Sequence, residues 1–338
     1  MIAVRRAGLA AVTDLGRPGL ARQGIPAGGA ADQYSAAVAN ILVGNAEDGP
    51  LIEVTASDFV FTAAHAALVA VTGAPATVTV GRWPVRTWEP ICVGQRETVS
   101  ITAIHSGLRV YVAVNGRWQV PHVFGSCAPN AQLGVGTWLR GGDGVEVRSD
   151  YRPIDHPVLR HPVFSFGARP PRFGSPYTIE VTTGPDSADV SAAVETLESA
   201  EYTVRPESDH VGLRLAGPVP SRRAAAEVLS KGVPAGAVEV PPAPELLVLQ
   251  RGRPVTAGYP VVAVATRVAQ STLGQVGPGQ TIRFRHRTVD EAVQAQRRQR
   301  RSLDELVGRA RTAFASVGIP YGIRKTLISE TRTEGMGL

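Results

Sequence analysis

Residues 12–45 read Val12-Thr13-Asp14-Leu15-Gly16-Arg17-Pro18-Gly19-Leu20-Ala21-Arg22-Gln23-Gly24-Ile25-Pro26-Ala27-Gly28-Gly29-Ala30-Ala31-Asp32-Gln33-Tyr34-Ser35-Ala36-Ala37-Val38-Ala39-Asn40-Ile41-Leu42-Val43-Gly44-Asn45. Glycines and prolines crowd the first half. Glycine opens backbone angles closed to other residues and proline fixes its own, so this is a shaped loop. Asp14, Arg17, Gln23 and Asp32 carry polar groups on it. Asp32 then fits the cap of a helix in which Val38, Ile41 and Leu42 recur at helical spacing, and Gly44 fits its end. A rigid polar loop feeding a capped helix suits a ligand site. It equally suits a structural corner.

Outward from this stretch the text changes to strands. Leu51–Val54, Phe59–Phe61, Leu68–Val71, Thr77–Val80, Ile91–Val93, Val99–Ile101 and Leu108–Val114 are short, β-branched or aromatic, and separated by Gly, Pro and Asn. That spacing belongs to sandwiches and barrels. Tyr151–Gly174 is rich in Pro and Arg and reads as a connection. A second strand-rich half follows, with strands at Tyr177–Thr182, Tyr202–Val204, Val211–Leu215, Val238–Val240, Leu246–Leu249, Val261–Ala265 and Thr281–Phe284, and a helix around Val190–Ala200. Gly24-Ile25-Pro26-Ala27-Gly28 recurs as Gly232-Val233-Pro234-Ala235-Gly236, a hint of duplication. Thr288-Val289-Asp290-Glu291 opens a helical pattern running to Ala315, and the last twenty residues are polar. The expected division is 1–150, a connection at 151–174, 175–287, and a helix with tail at 288–338.

The 338 residues suffice for two cores, and 43% of them are hydrophobic. No apolar run approaches the roughly 20 residues of a membrane span. No secretory leader is expected at the N-terminus, and two cysteines, Cys92 and Cys127, read as reduced thiols, so the expected location is the cytoplasm. The net charge of +6 rests almost wholly on arginine, since lysine occurs only at Lys231 and Lys325. The densest run, Arg297–Arg301, has few aromatics around it, so a nucleic-acid partner is not expected.

Phosphate and metal signatures are missing from the sequence. Nothing reads Gly-x4-Gly-Lys-Ser/Thr, and Gly134-Val135-Gly136 lacks strand–helix context. The seven histidines form no His-x-Glu or His-x3-His pair, so no metal site is expected. Ser126 has no Gly-x-Ser-x-Gly elbow. Cys127 near His122 reads either as a nucleophile or, more simply, as a buried thiol.

Three loop clusters remain. In the first, Arg17 can fork onto a carboxylate or phosphate, or pair with Asp14. The second is Val120–Asn130, with Ser126. The third joins Ser208-Asp209-His210 with Thr256-Ala257-Gly258-Tyr259-Pro260, where Tyr259 can stack on a planar ligand or plug a barrel end.

Taken together these marks resemble one family, variously called the C component of 5-oxoprolinase, KipI antagonist, the second component of allophanate hydrolase or biotin-dependent carboxyltransferase-like protein. They are Asp14-Leu15-Gly16-Arg17-Pro18-Gly19, Gly24–Ala30, Asp32, Asn40, Leu42–Asn45, Glu53-Val54-Thr55, Thr72-Gly73-Ala74, Gly125-Ser126, Ser208-Asp209 and Gly258-Tyr259-Pro260. The resemblance implies a mainly β chain of two cyclophilin-like β-barrel domains with few helices. It implies partners, the KipI-like B component and the A component of 5-oxoprolinase. It also implies ATP-dependent cleavage of 5-oxoproline to glutamate, with ATP and Mg at the level of the complex. Alternatives are a biotin-dependent carboxyltransferase of the urea amidolyase type, acting on a urea-like substrate, and a non-catalytic regulator binding a KipI-like protein. Under the first, Arg17, Gln23, Gly28, Gly29, Ser126, Ser208, Thr256 and Tyr259 would bind substrate or nucleotide. Asp14, Asp32 and Asp209 would be unranked acid–base candidates. The chain departs from the pattern at Cys127 and Ala128, where relatives carry arginine and a hydroxyl residue. It departs again at His210 and at Val261, where they carry a basic residue and a lysine.

Overall fold

The structure is a computed structural model that describes residues 1–153, 165–221, 229–319 and 321–322. Part of the expected connection (154–164) and nearly all of the expected tail (320 and 323–338) lie outside the described residues.

Ten strands in the first half make one sheet. Two long strands, Ile2–Thr13 and Leu51–Ala63, form its spine and run antiparallel along almost their whole length. Neither is legible as one strand in the sequence. The first carries Arg5, Arg6, Ala7 and Gly8 through its middle. The second contains Ala56 at φ 45°, a kink that divides its apolar residues into two short runs. From Leu51–Ala63 the sheet continues through Arg109–Val114 to Ala67–Gly73 and Pro90–Val93 on one side. On the other it continues through Thr98–Ile104 to Ala76–Val80 and Trp83–Pro84.

Alternation along Arg109–Val114 shows how the sheet is covered. Val110, Val112 and Val114 join a core of Ile52, Val54, Phe59, Phe61, Val69 and Val71. Tyr111 and Ala113 face the opposite side, with Leu51, Leu68 and Ala70. Strand side chains point alternately to the two faces, so a strand buried throughout needs cover on both. The second face is covered by α1 (Gln33–Leu42), whose residues from Ser35 to Leu42 are all buried.

The second half is a closed barrel. Its seven strands run in the order Tyr177–Thr183, Val261–Ala265, Ala237–Glu239, Leu246–Leu249, Gly212–Ala216, Glu201–Val204 and Thr281–His286. Closure is made by the parallel pairing of the first and last. Short α2 (Ala193–Glu198) lies on this barrel. The mainly β class with few helices agrees with expectation. The repeated pentapeptide does not mark equivalent elements: Gly24–Gly28 leads into α1, while Gly232–Gly236 leads into a barrel strand.

Two further helices join the halves. α3 (Arg267–Leu273), which has no clear sequence signal, is capped by the Thr266 hydroxyl accepting from the Ala269 N–H. It ends at Gly274, where a side-chain carbon would meet the Ala31 backbone at 2.5 Å. Only glycine permits that approach. α4 (Val289–Ser316) begins where the helical pattern was expected to open, with a capping box of Thr288 and Glu291. It buries Leu303, Leu306, Ala310 and Phe314 in the same cluster as Val38, Ile41 and Leu42 of α1. Phe314 meets Phe166 edge-on at 5.2 Å. The arginine-rich helix therefore packs on the chain's own first half.

Candidate functional site

A cavity of about 430 Å³ opens between the two halves. The first half contributes Thr13, Gly28, Gly29, Ala31, Glu53, Thr55 and Arg109, and the second contributes Ser208, Asp209, His210, Gln250, Arg251 and Gly252. Leu9, Ala11 and Trp138 form an apolar side, with Leu9 and Trp138 largely exposed. Ligand sites commonly combine apolar walls with a few placed polar groups at such junctions.

The floor is a connected polar network. Glu53 is a lone carboxylate in the apolar run Leu51–Val54. Its Oε2 accepts from the Tyr111 hydroxyl at 2.9 Å and from the Ala31 N–H at 2.9 Å. Its Oε1 lies 3.6 Å from Arg109 Nε, an ion pair longer than a hydrogen bond. The Tyr111 hydroxyl accepts from the Asp32 N–H at 2.8 Å. Burial, then the Glu53 and Asp32 carboxylates, push this phenol well above its ordinary pKa. Gln275, at the end of α3, ties the second half in. Its Oε1 accepts from the Arg109 N–H at 2.9 Å, and its Nε2 donates to Asp32 Oδ2 at 2.9 Å. Arg109 also donates to the Gly274 carbonyl.

Above this floor stand donors with capacity to spare. Gln250 is 6% exposed, and among the described residues its buried amide nitrogen has no hydrogen-bond partner. Arg251 donates through Nε to the Gly28 carbonyl at 2.9 Å and through Nη2 to the Leu15 carbonyl at 3.4 Å. Burial first, then the neighbouring Arg267 and Arg253, lower its pKa to about 10. Arg109, Gln250 and Arg251 face a cavity that also holds the carboxylates of Glu53 and Asp209. Such a set can bind a carbonyl or anionic group and keep a carboxylate nearby.

Four of the residues expected from sequence line this cavity: Gly28, Gly29, Ser208 and Asp209. The glycines are there because of backbone shape. Gly29 sits at φ 89°, and a side chain on it would meet the Leu15 carbonyl carbon at 2.5 Å. Asp209 holds its own turn, with Oδ1 accepting from the Val211 and Gly212 N–H groups at 2.8 and 3.1 Å. The Ser208 hydroxyl accepts from the Arg214 N–H at 3.0 Å.

Asp14, Arg17 and Ser126 come together behind the cavity wall. Asp14 Oδ1 accepts from the Ser126 hydroxyl at 2.5 Å and the Gly16 N–H at 2.7 Å, and Oδ2 accepts from the Cys127 N–H at 3.0 Å. Arg17, 2% exposed, donates to the carbonyls of Val123, Ser126 and Ala128 at 3.2, 3.4 and 2.6 Å. Burial lowers its pKa, against the opposing influence of Asp14 and Cys127. These bonds pin the first loop to the second, and Arg17 does not line the cavity. Asp14, His122 and Cys127 each bring one donor atom within 4.8 Å of the others, a grouping the histidine spacing alone does not reveal.

Asp32 is the helix cap. It accepts from the Ser35 N–H at 3.0 Å, from the Ser35 hydroxyl and from Gln275. Burial raises its pKa against those hydrogen bonds. Gln23 is exposed on a short helical turn, Ala21–Gln23. Thr256 and Tyr259 stand by the two-stranded pairing of Thr256–Ala257 with Lys231–Gly232. None of these three lines the cavity. In their place are Glu53, Arg109, Gln250 and Arg251. Glu53 and Arg109 carried a readable signal, being charges inside or at the edge of apolar strands. Gln250 and Arg251 sit in a turn after Leu246–Leu249 that nothing in the sequence singles out.

Comparison with known proteins agrees with this architecture. The chain is 29% identical to the C component of 5-oxoprolinase from Escherichia coli K12 over 317 residues, covering 91% of this chain and 98% of that protein. It is 27% identical to the urea amidolyase of Lachancea kluyveri over 291 residues, but those are only 16% of that protein. The crystal structure of the Kluyveromyces lactis urea amidolyase superposes with a TM-score of 0.80 at 25% identity, over 90% of this chain and 20% of that one. Residues 23–286 match the model of the carboxyltransferase domain, subdomains A and B, and the chain belongs to that family.

Proposed function

We propose that this chain is one component of an ATP-dependent 5-oxoprolinase complex that opens 5-oxo-L-proline to L-glutamate. The observation that carries this reading is end-to-end coverage. The chain spans 98% of the Escherichia coli 5-oxoprolinase component, whereas it spans 16% of the Lachancea kluyveri urea amidolyase. That relative is named as one piece of a multi-chain enzyme, which supports an assembly with an A component and a KipI-like B component.

The chemistry asks for what the cavity offers. A lactam carbonyl resists water. Transfer of the γ-phosphoryl group of ATP to the lactam oxygen releases ADP; water then adds at that carbon, the C–N bond breaks with the nitrogen leaving as the amine, and the ring opens to an acyl phosphate, which a second water cleaves to glutamate and phosphate. The guanidinium groups of Arg109 and Arg251 fit negative charge growing on that oxygen, and the Gln250 amide supplies a further donor. Glu53 and Asp209 are the carboxylates within the cavity able to accept the proton of the attacking water. ATP and Mg are assigned to the complex as a whole, and the sequence of this chain carries no Gly-x4-Gly-Lys-Ser/Thr loop.

The direct test mixes the full chain with active A and B components of 5-oxoprolinase and measures glutamate formed with and without ATP. Glutamate that depends on both this chain and ATP supports the proposal. No product, with those partners shown active alongside another C component, refutes it. Family membership and the urea amidolyase superposition favour one second reading, carboxyl transfer from a biotinyl partner to a urea-like acceptor. It predicts carboxylation of urea by a biotinylated partner in place of glutamate formation.

A further inference from the structure

A second cavity, of about 200 Å³, lies on the other side of the Ala31–Arg251 wall from the interdomain cleft. It sits where α1, α3 and α4 converge. Arg251, Arg267 and Arg300 line it with the carboxylate of Glu47 and with Gln33 and Gln299.

The charges around it do not cancel. Arg300 is occupied by Glu47 at 2.9 Å and by Asp304 at 2.7 Å. Arg251 and Arg267 are different. Among the described residues neither is paired with a carboxylate. Their hydrogen bonds go to neutral oxygens: Arg251 to the Gly28 and Leu15 carbonyls, and Arg267 to the Gln33 amide at 3.0 Å. Two uncompensated guanidinium groups bordering one cavity repel each other, and Arg253 adds to the positive field at Arg251. An anion between them would remove that repulsion and gain charge-assisted hydrogen bonds. The Gln299 amide also lines the cavity, while the Gln33 amide and the Ser271 hydroxyl are engaged with Leu15, Arg267 and Tyr34, and the Glu47 carboxylate in the lining is held by Arg300. The volume is that of roughly six or seven waters, at ~30 Å³ each. That is enough for a phosphate group with a short substituent.

We propose that this cavity is a binding site for a phosphate dianion, inorganic phosphate or a small phosphate monoester, held between Arg251 and Arg267. The site is separate from the cleft but shares Arg251 with it. An occupant would thus bear on the residue that holds the Gly28 carbonyl.

The test is calorimetric titration of the full chain with inorganic phosphate at constant ionic strength. One phosphate per chain is expected. Arg267→Gln, on an exposed side chain, should weaken binding at least tenfold, the loss of one charge-assisted contact. Gln299→Glu, which adds a negative charge at the cavity, should weaken it similarly. Arg298→Gln, on the exposed face of α4, should leave it unchanged. Absence of saturable binding overturns the proposal. So does wild-type affinity in both cavity variants, or an equal loss in Arg298→Gln. Succinate competing as strongly as phosphate would overturn the assignment to phosphate.

Discussion

Arg251 donates its Nε–H to the carbonyl oxygen of Gly28 at 2.9 Å, across 223 positions of sequence and from one half of the chain to the other. The bond fixes the glycine loop that forms one wall of the cleft to the turn that forms the opposite wall. A hydrogen bond from a charged donor is worth roughly 1.5–3 kcal/mol. Arg251→Ala should therefore lower the unfolding free energy by about 2 kcal/mol, read from the midpoint of a urea titration. Arg251→Lys should recover only part of this, because one ammonium cannot fork onto both Gly28 and Leu15. A variant as stable as wild type would show that the contact does not hold the halves together.

Asp14 and Asp209 were equivalent as acid–base candidates in the sequence, and the structure separates them. Asp14 is fully buried and accepts from Gly16, Ser126 and Cys127. Asn at this position turns one acceptor into a donor that faces another N–H, leaving buried groups unsatisfied at about 1–3 kcal/mol each. Asp14→Asn should destabilise the chain by about 3 kcal/mol. Asp209→Asn keeps the oxygen that accepts from Val211 and Gly212 and removes only charge. Its stability should stay within about 0.5 kcal/mol of wild type, while turnover in the reconstituted complex falls. Paired urea melts and activity assays check both. Equal stability losses in the two variants would contradict the assignment.

Much of this fold could be read from residues. The cap at Asp32, the capping box at Thr288 and the β-rich halves follow from local chemistry. The site was legible where backbone shape made it, at Gly28 and Gly29. It was not legible where it depends on tertiary placement. Arg17 looked like an anion fork because of its charge, yet three carbonyls from a loop more than a hundred residues away take its Nε and Nη2 donors, and only its buried Nη1 is left without a partner among the described residues. Gln250 and Arg251 gave no signal, because their roles exist only once the barrel presents that turn to the other half. Gln23, Thr256 and Tyr259 have suitable chemistry but stand away from the cavity.

Glu239 makes stability depend on pH. Its side chain is fully buried, and among the described residues both carboxylate oxygens lack hydrogen-bond partners. Burial raises its pKa to about 7, with Lys231 pulling the other way. A carboxyl raised by folding is favoured in its protonated form. Its stabilising effect is therefore present below the unfolded value, near 4.5, and is lost as pH climbs towards 7. At about 1.4 kcal/mol per pKa unit, the loss approaches 3 kcal/mol. Glu239→Gln, which cannot ionise, should be close to wild type at pH 4 and more stable by up to about 3 kcal/mol at pH 8. Denaturant titrations of both proteins across that range measure it. A stability difference that does not change with pH would refute it.

The last helix divides into a structural face and an idle one. Phe314 is fully buried against Phe166 and the α1 cluster. Truncating a buried Phe costs about 3–5 kcal/mol, because a cavity is left as well as lost transfer energy. Phe314→Ala should show that loss in a thermal or urea melt. Arg297, Arg298 and Arg301 are exposed, and exposed substitutions away from special contacts stay within about 0.5 kcal/mol. A triple change of these to Gln should melt like the wild type, while Arg300→Gln, which breaks the contact with Glu47 and Asp304, should cost up to about 1 kcal/mol. If the triple variant destabilised the chain as much as Phe314→Ala, the basic run would be holding the helix in place, and its packing on α1 would not be the cause.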